Sequence, residues 1–444
     1  NALMGGGSYN GCDIVTYQGS AMKAAKNEFL FARVEIDVAN SVNPGFRRLW
    51  ISSFFSDILT VTLVMCSGLL VLEITDSAFW VGAVFGFNGA ALTVSSFIGG
   101  LLADRFYSRR HTLVAIAILI DMALVLVLAT LISTEKILLW HVMVGAVLNA
   151  VALAIRIPSR NALTLDLVGK QRLINATAIN LVSWQITAIG APLLAGSIIV
   201  KYGMSWAYFL MTISAGFAFI SALTLNSSHI PAPVSDKLGN TGNFRIIVDG
   251  FKYVFTAPAV RTLILLAIVA ESFIWSHESI LAVMATKVLN VDAFGYASLL
   301  SVGAVGAVIS LIFISFSKQA TARGLFLALT LGLFSISLLL FSFSPWFPVS
   351  LILIAIAYAF AMGYETIISA LLQLVVPDEM RGRVLSFQTS SWGFTGLAGL
   401  YMGAIAGAFS AAIAIGAGAI VVLVYLVINF RQLLKLDRFT EKSE

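Results

Sequence analysis

Charged residues are scarce in this sequence. Asp, Glu, Lys and Arg together make up 11% of the 444 residues, whereas 59% are hydrophobic and the mean hydropathy is +0.95. So few polar side chains cannot cover the surface of a water-soluble chain of this length. The composition therefore excludes a soluble globular protein and predicts a polytopic membrane protein.

Cysteine and histidine are also rare. The two cysteines, Cys12 in a polar segment and Cys66 in an apolar run, form no disulfide framework, and the four histidines show no metal-ligand spacing. The zinc-protease pattern H-E-x-x-H and the ATP-binding pattern G-x-x-x-x-G-K-[ST] are both absent from the sequence. We therefore expect no metal, no cofactor and no enzymatic activity, which leaves a membrane-embedded enzyme as the least favoured class.

Long apolar runs are abundant. A hydrocarbon core about 30 Å thick requires about 20 apolar residues per helix. Twelve segments satisfy that requirement: 49–72, 78–102, 112–133, 137–155, 173–199, 205–225, 262–286, 296–317, 324–343, 347–371, 384–408 and 410–430. An even number of spans places both termini on the same side of the membrane.

The basic residues indicate which side that is. If the N-terminus is inside, every Lys and Arg falls on the inner side except Lys136, Lys201 and Lys287. This asymmetry predicts cytoplasmic termini. The net charge of +5 is then explained by basic loops facing anionic lipid, so we expect no nucleic-acid partner.

The longest polar interruption follows the sixth span and divides the chain. We expect an N-terminal cytoplasmic tail, a six-helix bundle, a cytoplasmic linker, a second six-helix bundle and a C-terminal tail, with the bounds 1–45, 46–225, 226–261, 262–430 and 431–444. Within the linker, apolar residues recur at helical spacing from Phe244 to Phe255. This spacing predicts an amphipathic helix that lies in the membrane interface or caps the bundle.

The two predicted bundles resemble each other in sequence. Leu165-Asp166-Leu167-Val168 is echoed by Leu372-Gln373-Leu374-Val375, and Gly196 is echoed by Gly403, both at an offset of about 207 residues. Matches that share one offset indicate an internal repeat. The predicted fold class is therefore all-α, with twelve transmembrane helices in two pseudo-symmetric six-helix bundles.

A short charged loop, G-L-L-A-D-R-F-Y-S-R-R, joins the second and third spans. It resembles the loop between helices two and three of major facilitator superfamily transporters, with Tyr107 in place of that pattern's second glycine. Acids and bases are paired in this loop and in the segment 377–383 that opens helix eleven, a pattern that predicts a cytoplasmic gate; the same charges could instead only determine the topology. The gate residues are Gly100, Asp104, Arg105, Arg109, Arg110, Arg381 and Arg383.

Helix five contains G-A-P-L-L-A-G, from Gly190 through Pro192 to Gly196. Pro192 removes a backbone hydrogen bond, and the small neighbours allow the helix to bend against a partner. The segment resembles a signature of drug antiporters in the same superfamily. With Arg381-Gly382-Arg383-Val384 it makes the chain similar to the branch that contains enterobactin exporters and macrolide or multidrug efflux proteins.

Ionisable residues within spans are costly, so each is expected to face a cavity or a partner. We expect four carboxylic acids to serve proton coupling or to line the cavity: Asp57, Glu271, Glu278 and Glu365. Each could instead pair with a neighbour and only hold the bundle together. Side chains that could contact substrate are Asn149, Trp275, His277 and Tyr364.

The resemblance implies a secondary transporter that exports a small amphipathic compound, a drug or a siderophore, in exchange for protons by alternating access. An importer, a facilitator or a lipid flippase of the same fold stays open. The expected partners are the small-molecule substrate, protons and the lipid bilayer. The expected setting is a bacterial inner membrane, with the protein as a monomer.

Overall fold

The computed structural model describes residues 43–225, 252–316 and 324–435. Within these ranges lie twelve long helices, α1 to α12: Pro44–Thr75, Ala78–Arg105, Arg110–Ser133, Leu139–Val168, Leu173–Tyr202, Met204–Leu223, Pro258–Val288, Ala293–Phe316, Gly324–Ser342, Phe347–Val375, Asp378–Ala408 and Ala411–Leu434. Almost all of the predicted N-terminal tail and most of the linker with its amphipathic helix lie outside the described residues.

The predicted fold class is confirmed. Each predicted span corresponds to one described helix, and among the described residues eleven helices are long and apolar enough to cross a membrane. The remaining helix, α11, is rich in glycine and carries Ser391, Thr395 and Tyr401, which lower its hydropathy. The short connections that the structure describes make the helices they join antiparallel. We call the end at which α1 begins and α2 ends the basic end, since it carries Arg47, Arg48, Arg105 and Arg109.

Helix α4 is longer than the sequence pattern predicts. It runs past residue 155 to Val168 and continues through Pro158. The polar residues of this extension are typical of a loop. In the structure, however, Arg156 and Arg160 point into the bundle and pair with acids of other helices. A membrane helix can continue past the end that hydropathy predicts when its charged side chains are paired with opposite charges.

Helix α7 is interrupted. Its regular part, Pro258–Phe273, is followed by a 3-10 segment, Trp275–Ile280, and the helix closes with a π turn, Met284–Val288. Glu271 and Glu278, seven residues apart in sequence, therefore do not lie on one regular helical face. Irregular turns inside membrane helices place polar groups where a regular helix would not, and they recur at transporter binding sites.

Small residues allow the helices to pack closely within each bundle. A Cβ atom on Gly99 of α2 would overlap the carbonyl oxygen of Ala154 in α4, and one on Gly306 of α8 would overlap that of Ala355 in α10. The two glycines are about 207 residues apart, the offset of the sequence repeat. The internal repeat therefore extends to equivalent backbone contacts.

Two helix pairs join the bundles. In the first, which we call the glycine seam, Gly82, Gly86 and Gly89 of α2 face residues 396–403 of α11, and a Cβ on Gly89 would lie 2.6 Å from the Gly396 Cα. In the second pair, a Cβ on Gly196 of α5 would lie 2.7 Å from the Ala297 Cβ of α8. Both sets of glycines lie toward the end opposite the basic end, where the described contacts hold the bundles together.

Candidate functional site

Two carboxylic acids meet between α7 and α10. The side chains of Glu271 and Glu365 lie within hydrogen-bonding distance of each other, and Glu271 is 4% exposed. A hydrogen bond between two carboxyl groups requires a proton on one of them. The Thr395 hydroxyl of α11 donates a second, short hydrogen bond to Glu271. This carboxyl pair can therefore hold a proton, and a change in its protonation can affect α11 through Thr395.

The 3-10 segment of α7 carries the other polar groups of the site. Glu278 accepts a hydrogen bond of 2.8 Å from the Tyr358 hydroxyl of α10. The Trp275 ring packs edge-on against Tyr358 and Phe334, and its side chain also interacts with Glu365. Aromatic walls with a few polar groups are typical of ligand sites. Trp275 and Glu278 thus lie next to the carboxyl pair, on an irregular turn.

His277 is enclosed in the same segment. Its Nδ1 atom lies 2.7 Å from the Ile274 carbonyl oxygen, which makes Nδ1 the protonated nitrogen, and its ring contacts Phe334 and Tyr358. The Nε2 atom is buried with no hydrogen-bond partner in the part of the chain that the structure describes. His277 therefore presents a neutral acceptor beside the aromatic wall. Tyr364, next to Glu365, is 1% exposed.

The acids of the N-terminal bundle have a different environment. Asp57 of α1 forms an ion pair of 3.0 Å with Arg160, and Asp121 of α3 forms one of 3.1 Å with Arg156. Asn149 donates to Asp121 over 2.9 Å, so it contacts this network rather than the carboxyl pair. Each carboxylate here lies beside a guanidinium group of α4.

The C-terminal bundle shows no such balance. Among the described residues, no Lys or Arg side chain pairs with Glu271, Glu278 or Glu365. Of the four acids predicted from the sequence, the structure therefore brings three together without a cation and places the fourth, Asp57, in an ion pair. Among the described residues there is also no cluster of three or more His, Cys, Asp or Glu that could hold a metal.

The predicted gate residues lie at the basic end. Arg110 is 2.8 Å from Asp166 of α4, stacks 4.3 Å from the Tyr107 ring centroid, and donates to the Ala103 carbonyl. Arg110 therefore fixes the loop against its own bundle, while Arg105 and Arg109 are exposed. Asp104, Arg381 and Arg383 belong to α2 and α11, but their side chains lie outside the described part of the structure.

The residues of the helix-five motif differ in how closely they are packed. Pro192 is buried inside α5, and Gly196 allows α8 to approach closely. A Cβ atom on Gly190 would meet nothing within 4 Å. Gly100 of the loop motif is equally open. Gly196 is thus the glycine of this motif that the contact between the bundles requires.

Sequence reasoning missed the partners of these acids. Arg156 and Arg160 lie four residues apart on one face of α4, a spacing that could have suggested two inward-facing cations. Thr395 gave no signal, because a threonine hydroxyl within an apolar helix normally bonds its own backbone. Nothing in the sequence around Tyr358 marks it as a partner of Glu278.

Twelve helices in two repeated bundles, joined by close helix pairs and enclosing acids at mid-depth, are the architecture of a secondary transporter of the major facilitator type. The chain is such a transporter of small molecules, and not an enzyme. It belongs to the family described as transmembrane secretion effector, whose sequence profile matches residues 38–443. The resemblance predicted from the loop and helix-five motifs is thereby confirmed.

Known proteins agree with this assignment. The enterobactin exporter EntS of Shigella flexneri is 24% identical over 361 residues, which cover 78% of this chain and 81% of the exporter. A bacterial homologue of the human lysosomal transporter Spinster, solved inward-facing and unoccupied, superposes with a TM-score of 0.67 at 15% identity over 90% of this chain and 97% of its own. The nucleoside transporter NupG gives 0.67 at 14% identity over 88% and 99%. These structures share the fold.

Proposed function

We propose that the protein is a proton-coupled exporter of small amphipathic compounds, a siderophore or a drug, that works by alternating access. The observation that carries this proposal is the contact between Glu365 and the buried Glu271, beside which no cation lies among the described residues. Such a pair holds a proton in one state of the transporter and releases it in another. Transport is coupled to protons when substrate and proton favour different states.

Three observations support export rather than import. The chain is related over most of its length to proteins named as enterobactin exporters. Helix α5 carries the buried Pro192 and the tightly packed Gly196 of its antiporter-like signature. The aromatic wall formed by Trp275, Tyr358 and Phe334 beside the acids suits a ring-containing substrate.

The setting of the protein follows from the same reasoning. We place it in the inner membrane of a bacterium, with both termini in the cytoplasm and the basic end facing inward. The two bundles, 46–225 and 262–430, move against each other about the contacts of α2 with α11 and α5 with α8. The exposed Arg105 and Arg109 stay on the cytoplasmic side. A monomer suffices, because each chain contains both bundles.

Proton flux in proteoliposomes tests the proposal. Vesicles that contain a pH-sensitive dye and the purified protein are exposed to catecholate siderophores, macrolides or cationic dyes under an imposed proton gradient. At least one compound class is expected to drive proton movement, and Glu271→Gln or Glu365→Gln is expected to abolish it. Glu135→Gln, which changes an exposed carboxylate in the loop after α3, is the matched control and should keep the parent flux.

Substrate movement without proton flux would overturn proton coupling and leave a facilitator or a lipid flippase. Uptake against the expected direction would identify an importer. Proton flux that survives both glutamine substitutions would show that the coupling group lies elsewhere.

A further inference from the structure

The carboxyl pair and the glycine seam are connected by a single side chain. Thr395 of α11 donates its hydroxyl proton to Glu271, and the next residue, Gly396, lies against Gly89 of α2. A Cβ on Gly396 would lie 2.6 Å from the Gly89 Cα, so the two backbones touch at this point. A displacement of Glu271 that moves Thr395 therefore also moves the seam that closes the end opposite the basic end.

The closed arrangement of the seam favours a protonated pair. The carboxyl groups of Glu271 and Glu365 lie within hydrogen-bonding distance of each other, and a hydrogen bond between two carboxyl groups needs one proton. Loss of that proton leaves two negative charges in contact within a low-dielectric site, and their repulsion separates α7 from α10.

The neighbouring groups do not compensate for this repulsion. The groups that face the pair are Glu278 of α7 and the Tyr364 phenol of α10, with Tyr425 of α12 beside Tyr364. Each is acidic or a phenol. Among the described residues no cation faces the pair, so separation is the available response.

We propose that Thr395 is the positioning residue that transmits the protonation state of the carboxyl pair to the glycine seam, so that deprotonation opens the end opposite the basic end. The inference rests on the proposed proton coupling and adds the route by which it acts. Thr395 needs only a hydroxyl group for this role, because its contact with Glu271 is a hydrogen bond. Serine should therefore replace threonine, and valine, which has nearly the same shape, should not.

A second link between the same helices provides a matched control. The Tyr401 hydroxyl of α11 donates to the Ser272 carbonyl oxygen of α7 and lies 3.5 Å from the Ser276 hydroxyl. Tyr401→Phe removes a hydrogen bond between α7 and α11 but leaves the bond between Thr395 and Glu271 intact. A general loosening of the helix pair would affect both variants, whereas transmission of protonation would affect only Thr395→Val.

The experiment measures the distance between the bundles across the closed end as a function of pH. Spin labels are attached at Glu135→Cys in the loop after α3 and at Phe409→Cys in the loop after α11, both exposed, in the full chain with Cys12→Ser and Cys66→Ala. In the parent and in Thr395→Ser, raising the pH should increase the long-distance population, by at most about tenfold per pH unit for one proton. In Thr395→Val the population should be independent of pH.

The outcomes separate the two proposals. A pH response in Thr395→Val equal to that of the parent overturns the role of Thr395, and Thr395→Ala, which removes the same hydroxyl with less bulk, is measured in parallel. Loss of the response in Tyr401→Phe as well would assign the effect to loosened packing and also overturn it. A response that persists in Glu271→Gln, Glu365→Gln would instead show that the proton site lies elsewhere, which would overturn this inference and the assignment of proton coupling to the carboxyl pair.

Discussion

Arg156 Nη1 of α4 lies 3.1 Å from Asp121 Oδ2 of α3, and the two side chains are only 3% and 0% exposed. Asn149 donates to the other carboxylate oxygen, and the second guanidinium nitrogen donates to Thr60 over 2.7 Å. The network therefore joins α1, α3 and α4 with its charges paired. Removal of one partner of such a network is costly, because the remaining charge is then buried without a partner.

We expect Asp121→Ala to destabilise the folded protein by about 3–5 kcal/mol, since Arg156 would lose its counter-ion. The double variant Asp121→Leu, Arg156→Met removes both charges and should recover most of that loss. The thermal midpoint of unfolding in detergent or lipid nanodiscs measures the difference. Equal destabilisation of the single and double variants would show that packing volume, rather than charge pairing, determines the stability.

The same residues show what the sequence could predict. Hydropathy identified all twelve helices, because membrane thickness fixes the length of an apolar run. It ended α4 at residue 155, since a window average treats Arg156 and Arg160 as solvent-facing, whereas both are neutralised by acids more than 30 residues away in sequence. Pairings between distant residues depend on helix packing, which a single sequence does not contain.

The break in α7 escaped prediction for a related reason. Trp275–Ile280 contains neither proline nor glycine, the residues that usually mark a break. The irregular turn is held from outside, by Tyr401 on the Ser272 carbonyl and by Tyr358 on Glu278. The sequence singled out Glu271, Trp275 and Glu278 as costly or bulky polar residues, but the groups that position them lie on α10 and α11.

Asp57 and Glu271 should respond differently to loss of charge. Asp57→Asn leaves Arg160 without its partner at 3.0 Å, so we expect slower transport with an unchanged number of protons moved per substrate. The charge-reversed pair Asp57→Arg, Arg160→Asp should recover part of the rate, because it restores the attraction. Parallel measurement of proton and substrate flux checks this. A changed proton ratio in Asp57→Asn would make Asp57 a coupling residue.

The glycine seam predicts a steric effect at one position. A Cβ on Gly82 would overlap the Gly399 carbonyl oxygen, so Gly82→Ala must push α2 away from α11. We expect the closed end to open and the transport rate to fall by about tenfold, equivalent to about 1.4 kcal/mol. Distances between labels at positions 135 and 409 report the opening directly.

Gly216→Ala in α6 is the control for that substitution. A Cβ at this position meets nothing within 4 Å, and alanine favours a helix over glycine by about 1 kcal/mol. Transport should be unchanged and stability equal or higher. A similar loss of transport in both variants would attribute the effect to helix flexibility rather than to the close approach of α2 and α11.

Lys287 of α7 also links the two bundles at the end opposite the basic end. Its ammonium group lies 2.8 Å from the Asp76 carboxylate and 2.6 Å from the Asp76 backbone oxygen, at the left-handed residue that ends α1. The Asp76 side chain is 90% exposed, so the charge pair alone contributes at most about 1 kcal/mol and weakens in salt. The backbone oxygen, by contrast, is available in every variant at position 76.

We therefore expect Lys287→Ala to increase the open population at the closed end by more than Asp76→Asn does. Asparagine tolerates the left-handed conformation and keeps the backbone acceptor, so Asp76→Asn should shift the equilibrium by no more than about fivefold at low salt. High salt should reproduce the Asp76→Asn shift in the parent, whereas the larger Lys287→Ala effect should persist. If both variants match at every salt concentration, the backbone bond contributes nothing and Lys287 acts only through its charge.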